Sequence, residues 1–227
     1  GQLTGSPQVW RTLFKQCGAV QVSSFDDMMN TVIAFSHSPL PAGNRVAMIT
    51  NSGGFGVIQT DLCAEEGLEV PRFSDETLAR LRRLVPVAGT SIGNPLDAWP
   101  IFYKIFEKEG SLAEIIRIVA EDSNTDSLVF LFDQYRYLRR ARRGEANNHM
   151  RTVIAMLLEG AHYCRDILKK PFFPCVILDA YSEDEEDRRQ NLLLRRTLVD
   201  AGFPVYPALR DGVRSLGRLY VYARSKG

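Results

Sequence analysis

The sequence predicts an α/β fold: a three-layer sandwich around a five-stranded parallel sheet. Three features predict it. From Arg45 onward, short apolar runs alternate with amphipathic stretches of helical length, the order that βαβ units produce. Runs such as Val46–Ile49 and Leu128–Phe132 are apolar at nearly every position, as in strands covered on both faces by helices. A glycine-rich turn or a lone aspartate closes the long runs, at Asn51–Gly56, Asp133 and Asp179. Those are the strand C-termini, where parallel sheets bind ligands.

The elements follow in order. A short helix is expected over Val9–Gln16 and a short strand over Ala19–Val22. Ser24 can cap a helix over Phe25–Phe35, with Met28, Met29, Val32, Ile33 and Phe35 on its inner side. Residues 36–44 hold two prolines, a glycine and no periodicity, and read as a linker. Arg45–Thr50 is the first long strand, Asn51–Gly56 a turn, and a helix then runs to about Glu66, stopped by Gly67. Leu68–Val70 reads as a second strand. Ser74 opens a helix with two acids in its first turn, which suits the helix dipole, and that helix ends before Pro86. Gly93–Asp97 is a turn, and Ile101–Glu121 is mostly helical. Ser127–Phe132 and Phe173–Leu178 are buried strands separated by a long helix over Glu145–Lys170. A helix over Ser182–Gly202, a strand over Pro204–Tyr206 and a helix over Leu209–Ala223 close the chain.

The chain repeats itself. Leu13–Asp27 parallels Thr197–Asp211, each reading as helix, glycine, edge strand and capped helix. The second copy finishes the five-stranded domain. The first would then be the closing unit of a preceding domain, giving a tail plus linker over 1–41 and the main domain over 42–227. Chance resemblance of two amphipathic units is the competing reading. On the repeat reading, the first copy packs against the flank of the main domain or buries itself in another copy of the chain, and its strand stays out of the main sheet.

The stretch Gly43–Val70, the helix Phe73–Pro86, the turn Gly93–Asp97, the closing segment Ala201–Arg224 and the N-terminal Phe14–Met28 together resemble the NDP-forming acyl-CoA synthetases. That superfamily includes ADP-forming acetyl-CoA synthetase and succinyl-CoA synthetase. The resemblance implies the second flavodoxin-like CoA-ligase domain, a flavodoxin-like three-layer sandwich preceded by the helix–strand–helix tail of another flavodoxin-like domain. It is weakest between Ala98 and Asn148. It implies a part in converting acyl-CoA, NDP and phosphate to acid, CoA and NTP, reversibly, through acyl phosphate and a phosphohistidine. Aligned on Gly1–Ser6, the family's histidine falls just before Gly1, so no catalytic residue is expected in this chain. The CoA-binding Rossmann domain, the first flavodoxin-like domain and the ATP-grasp module are the implied partners, with a homodimer as a further candidate. CoA, ATP or ADP and Mg²⁺ belong to the full enzyme, and no cofactor or metal is expected on this chain alone. The alternative is a regulatory, synthetase-like module of a protein lysine acetyltransferase. The intact Ser52-Gly53-Gly54 favours the enzyme.

The strongest chemical signal is the turn Asn51, Ser52, Gly53, Gly54, Phe55 and Gly56. A glycine pair between strand and helix lets backbone N–H groups converge, and the helix dipole adds about half a positive charge. No Gly-Lys-Ser/Thr follows, so this is not a Walker A loop. The resemblance implies a helix N-terminus that stabilises the phosphohistidine; tight packing of the helix on the sheet is the structural alternative. Asn94 and Asp97 are candidates for the substrate side, with Asp97 the better suited to capping local N–H groups. Asp133 and Asp179 are weaker site candidates, equally suited to helix capping. His37, His149 and His162 read as surface or core histidines, since none adjoins a glycine-rich loop or a pairing acid.

Composition narrows the function. The 28 Lys and Arg residues nearly balance 27 Asp and Glu, which argues against nucleic-acid binding through bulk charge. The Arg136–Arg143 run is the one concentrated basic patch in the sequence; a solvated loop or docking patch is its simplest reading. No apolar run reaches the roughly 18 residues that span a bilayer, and no secretory leader is evident. The four cysteines are scattered without a CxxC pair, which suits a reducing cytoplasm and buried, inert thiols.

Overall fold

The computed structural model describes residues 6–50, 52–85, 91–97, 111–133, 146–177 and 185–226. Within them lie α1 (Pro7–Cys17), α2 (Phe25–His37), β1 (Val46–Thr50), α3 (Gly53–Glu65), α4 (Asp75–Leu84) and β2 (Leu96–Asp97). They are followed by α5 (Ser111–Ala120), β3 (Ser127–Asp133), α6 (Ala146–His162), β4 (Phe172–Ile177), α7 (Glu185–Asp200) and α8 (Leu209–Arg224). The described sheet is parallel with order β2-β1-β3-β4.

Alternate residues of each long strand face opposite sides, and both sides are apolar. Ala47, Ile49, Phe130, Phe132, Phe172 and Val176 join one core with α4, α5, α6 and α7. Val46, Met48, Val129, Leu131, Phe173 and Cys175 join the other with α3 and α8. The expected three layers follow directly.

The sheet differs from the expected one at both edges. Leu68–Val70 contributes one bridge, Glu69 to Arg45, and Pro204–Tyr206 one bridge, Tyr206 to Cys175. Neither is a full strand. Leu96–Asp97, read as part of a turn, instead pairs with Ile49 and Thr50. Asn94 explains the edge. Its Nδ2 donates to the carbonyls of Val46 and Pro71, both at 2.8 Å, and its Oδ1 accepts from the Met48 N–H at 2.9 Å. The edge of β1 is thus satisfied in turn by Glu69, the Asn94 amide and β2, so no single strand occupies it. The long helix expected over Glu145–Lys170 ends at His162 and continues as a π-helical turn, Tyr163–Ile167. There Arg165 donates to the carbonyls of Ala201 and Gly202 and lies 4.0 Å over the Phe203 ring.

The N-terminal unit stays out of the sheet: Ala19–Val22 has no strand pairing among the described residues. α2 lies on α8. Arg218 forms a two-pronged ion pair with the buried Asp27 and donates to the Gln21 carbonyl at 2.8 Å. The Tyr206 hydroxyl donates to the Asn30 carbonyl at 3.2 Å, and Phe35 meets Tyr222 edge-to-face. Burial pushes the Asp27 carboxyl up, but Arg218 and Ser23 outweigh it and hold it below the ordinary carboxylate value.

Candidate functional site

β1 delivers the chain to the candidate site. Thr50, its last residue, is buried; its Oγ1 accepts from the Ser52 N–H at 3.3 Å and faces the Ser52 carbonyl at 3.2 Å. This fixes Ser52 in an extended conformation as the N-cap of α3. Thr50 is a site residue that the sequence reading missed; a hydroxyl one residue before the glycine-rich turn was the available signal.

The Ser52 side chain does not cap the helix, and the first turn carries no acid. Gly56 N–H closes the first helical bond to the Ser52 carbonyl at 3.1 Å. It is therefore not available to a ligand, unlike the expectation that placed Gly56 with the other donors. Gly56 is buried beside Pro95, where a Cβ would stand at ordinary contact distance, 3.4 Å. The N–H groups of Gly53, Gly54 and Phe55 have no acceptor among the described residues, as expected of an uncapped first turn. Gly53 and Gly54 are exposed and Phe55 is half-buried. None of the three glycines of this turn has positive φ, so the turn does not depend on left-handed geometry. Asn51 lies outside the described residues.

Asp97 closes one side of this opening. Its Oδ2 lies 3.2 Å from where a Cβ on Gly53 would stand. A carboxylate beside a helix N-terminus is favourable. Asn94 points at backbone, with both amide hydrogens committed to carbonyls. The arrangement offers an anion three N–H donors and a helix dipole, with no side-chain cation on α3.

His37 ends α2 and is exposed, whereas His162, expected to have no pairing acid, sits one helical turn from Asp166, at 2.7 Å, and against the Phe203 ring. Arg165, opposing burial, and then His162 hold the Asp166 carboxyl at about 2. His149 lies on α6 and Asp133 ends β3. Asp179 and the Arg136–Arg143 run lie outside the described residues. Cys63, Cys164 and Cys175 are buried, but Cys17 is exposed. Burial pushes the Cys63 and Cys164 thiols up to about 12. No group of three His, Cys, Asp or Glu side chains among the described residues is arranged to hold a metal ion.

Comparison with known proteins places this geometry in context. The chain is 26% identical over all 227 residues to the ADP-forming acetate–CoA ligase I alpha subunit of Pyrococcus furiosus, and covers 43% of it. Over 97 residues, 43% of this chain, it is 37% identical to the alpha subunit of ligase II from the same organism, covering 21% of that subunit. These relatives bear the names of ADP-forming acetate–CoA ligases, in keeping with the resemblance to the NDP-forming acyl-CoA synthetases. Among solved structures, the apo dinucleotide forming acetyl-coenzyme A synthetase 1 of Ca. Korarchaeum cryptofilum shares the fold, with a TM-score of 0.75 at 21% identity, over 99% of this chain and 43% of that one. No family model matches the chain. The chain spans less than half the length of the curated relatives it matches. No described helix is long and apolar enough to cross a membrane.

Proposed function

We propose that the chain is one domain of an NDP-forming acyl-CoA synthetase, contributing the N-terminus of α3 to the site that holds the transferring phosphoryl group. The observation that carries this reading is the first turn of α3 at the C-terminal end of β1, where the N–H groups of Gly53, Gly54 and Phe55 have no acceptor among the described residues. Phosphoryl transfer asks a protein chiefly for positioning and charge stabilisation. A helix end aimed at a phosphohistidine or acyl phosphate is therefore a sufficient contribution, and the histidine itself belongs to the parent enzyme. CoA, the nucleotide and Mg²⁺ would be held by Rossmann, flavodoxin-like and ATP-grasp domains outside this chain, in the cytoplasm. The outer side of α3 carries Val57 and Ile58, both more than half exposed, a surface suited to such a neighbour. The ligase names of the relatives favour this reading over a regulatory module.

The test is to incubate the full gene product, and this chain alone, with ADP, phosphate, Mg²⁺ and a panel of acyl-CoAs, and to measure ATP. The full product is expected to form ATP and free CoA, and this chain neither. ATP formation by this chain, phosphorylation of His37, His149 or His162, or no ATP from the full product would overturn the proposal.

A further inference from the structure

A cleft of about 290 Å³ lies between the end of α1 and the last turn of α8. Phe14, Lys15 and Val20 stand on one side of it, and Tyr220, Tyr222 and Arg224 on the other. No residue of the Gly53–Phe55 opening lines it. Three contacts fix its walls. Gly18, at φ 64°, ends α1 and turns the chain along α8, so close that a Cβ on it would stand 3.3 Å from the Ser225 hydroxyl. Arg218 of α8 donates to the Gln21 carbonyl at 2.8 Å and pairs with Asp27, which holds the segment after Val20 on that helix. Phe35 meets the Tyr222 ring edge-to-face at 5.0 Å.

The cleft combines aromatic walls with unpaired positive charge. Phe14, Val20, Tyr220 and Tyr222 are half-buried. Among the described residues, the Lys15 ammonium and the Arg224 guanidinium have no hydrogen-bond or ion-pair partner, and neither tyrosine hydroxyl is bonded. Lys226 adds a third cation, 5.3 Å from the centre of the Tyr222 ring. No Asp or Glu lines the cleft, although acids nearly equal Lys and Arg over the whole chain. Lys15 and Arg224 stand in the last turns of their helices, where a cation suits the dipole. That accounts for each cation singly. It does not account for two of them, from opposite ends of the chain, meeting at an acid-free cleft walled by three rings. The carbonyls of Phe14, Lys15, Val221, Tyr222 and Ala223 already accept from backbone N–H groups, so these helix ends do not set unpaired acceptors against an anion.

We propose that this cleft is a binding site for a small aromatic carboxylate. Its ring lies among Phe14, Tyr220 and Tyr222, where offset and edge-on ring contacts are favourable. Its carboxylate accepts from Arg224, whose planar fork matches the two oxygens, and from Lys15. Volume sets the size of the ligand. Pockets for drug-sized molecules run from about 300 to 1,000 Å³, so a cleft of about 290 Å³ suits a single ring with a short acid arm. The proposal stands apart from the phosphoryl site and does not rest on synthetase activity.

Calorimetric titration of the 227-residue chain with phenylacetate tests it. Phenylacetate is expected to bind once per chain, with a Kd below about 1 mM. Phenylacetamide, which keeps the ring without the charge, and acetate, which keeps the charge without the ring, should each bind at least about 10-fold more weakly. Arg224→Gln and Lys15→Gln, both at exposed positions, should each weaken phenylacetate about 10-fold and leave the melting temperature unchanged to within about 1 °C. Val221→Trp, at an exposed position on the cleft wall, puts an indole into the space, keeps both cations and should abolish binding. In amide NMR spectra the Gly18, Ala19 and Ser225 signals should shift with phenylacetate, and those of Gly53 and Gly54 should stay. Equal binding of phenylacetamide, binding that survives both Arg224→Gln and Val221→Trp, or no binding below about 10 mM overturns the proposal. Synthetase activity enters none of these readouts, so an inactive full gene product would sink the proposed function and leave this inference standing.

Discussion

Replacing Asn94 with alanine separates a structural role from a ligand-binding one. The side chain satisfies the Val46 carbonyl, the Met48 N–H and the Pro71 carbonyl. Val46 and Met48 are fully buried, so water cannot readily replace the amide there. Leaving a buried backbone group unpaired costs about 1–3 kcal/mol. Two such groups give about 2–6 kcal/mol, with Pro71 partly rehydrated. For a chain of this size, each kcal/mol moves the melting temperature by roughly 2–4 °C. Asn94→Ala should therefore lower the midpoint by about 4–24 °C, measured by circular dichroism, with urea unfolding as a second measure. Asn94→Asp should cost at least as much, because a carboxylate oxygen would face two carbonyl oxygens that now accept at 2.8 Å. A midpoint unchanged to within about 1 °C in either variant would refute this account of the β1 edge.

Other outcomes follow from the same structure. A thiol reagent at pH 8 should modify Cys17 rapidly and Cys63, Cys164 and Cys175 only on unfolding, since burial keeps these three protonated; rapid titration of more than one thiol would contradict it. Asp126 is pushed up by burial and brought below the ordinary carboxylate value by Arg45, so its contribution to stability is present above about pH 4 and lost as pH falls through the lowered value. Asp27 and Asp122 act in the same sense. Melting temperature should fall steadily below about pH 4, less steeply in Asp126→Asn; a flat or rising profile would refute this. Gly212→Ala would put a Cβ 2.6 Å from the Cys175 sulfur and should destabilise by about 1–3 kcal/mol through overpacking, read by urea unfolding; an unaltered midpoint would show that α8 does not press on β4.

The long strands were legible because burial on both faces writes an unbroken apolar run, as in Ala47–Ile49 and Leu128–Phe132. Helix starts were legible where a side chain caps them: Ser24 accepts from Asp27 N–H and Ser74 from Thr77 N–H. The sheet edges were not. Leu96–Asp97 is too short to show a pattern, and Asn94 completes a ladder with partners 23 to 48 residues away. The break at His162 was hidden because apolar positions continue into the π-helical turn that Arg165 ties to Gly202. In the candidate site, the glycine-rich turn stood out in the sequence. That Gly56 is buried while Gly53 and Gly54 are exposed depends on how residues beyond the turn, such as Pro95, approach it, which the turn's own residues do not encode.

Gly54→Asp in the full gene product tests the central claim most directly. Gly54 is exposed, its φ is not positive, and among the described residues a Cβ there would approach nothing closer than the Ser52 hydroxyl at 4.0 Å, so the side chain fits. An acid in the first turn favours the helix by about 0.3–1 kcal/mol, so the melting temperature should hold or rise slightly. The same charge would oppose a phosphoryl group at the free N–H donors. Phosphoenzyme formation from labelled ATP should fall by about 100-fold or more, the scale seen when preorganised donors to developing charge are lost. Undiminished phosphoenzyme formation in a correctly folded Gly54→Asp protein would contradict the placement of α3 at the phosphoryl-transfer site.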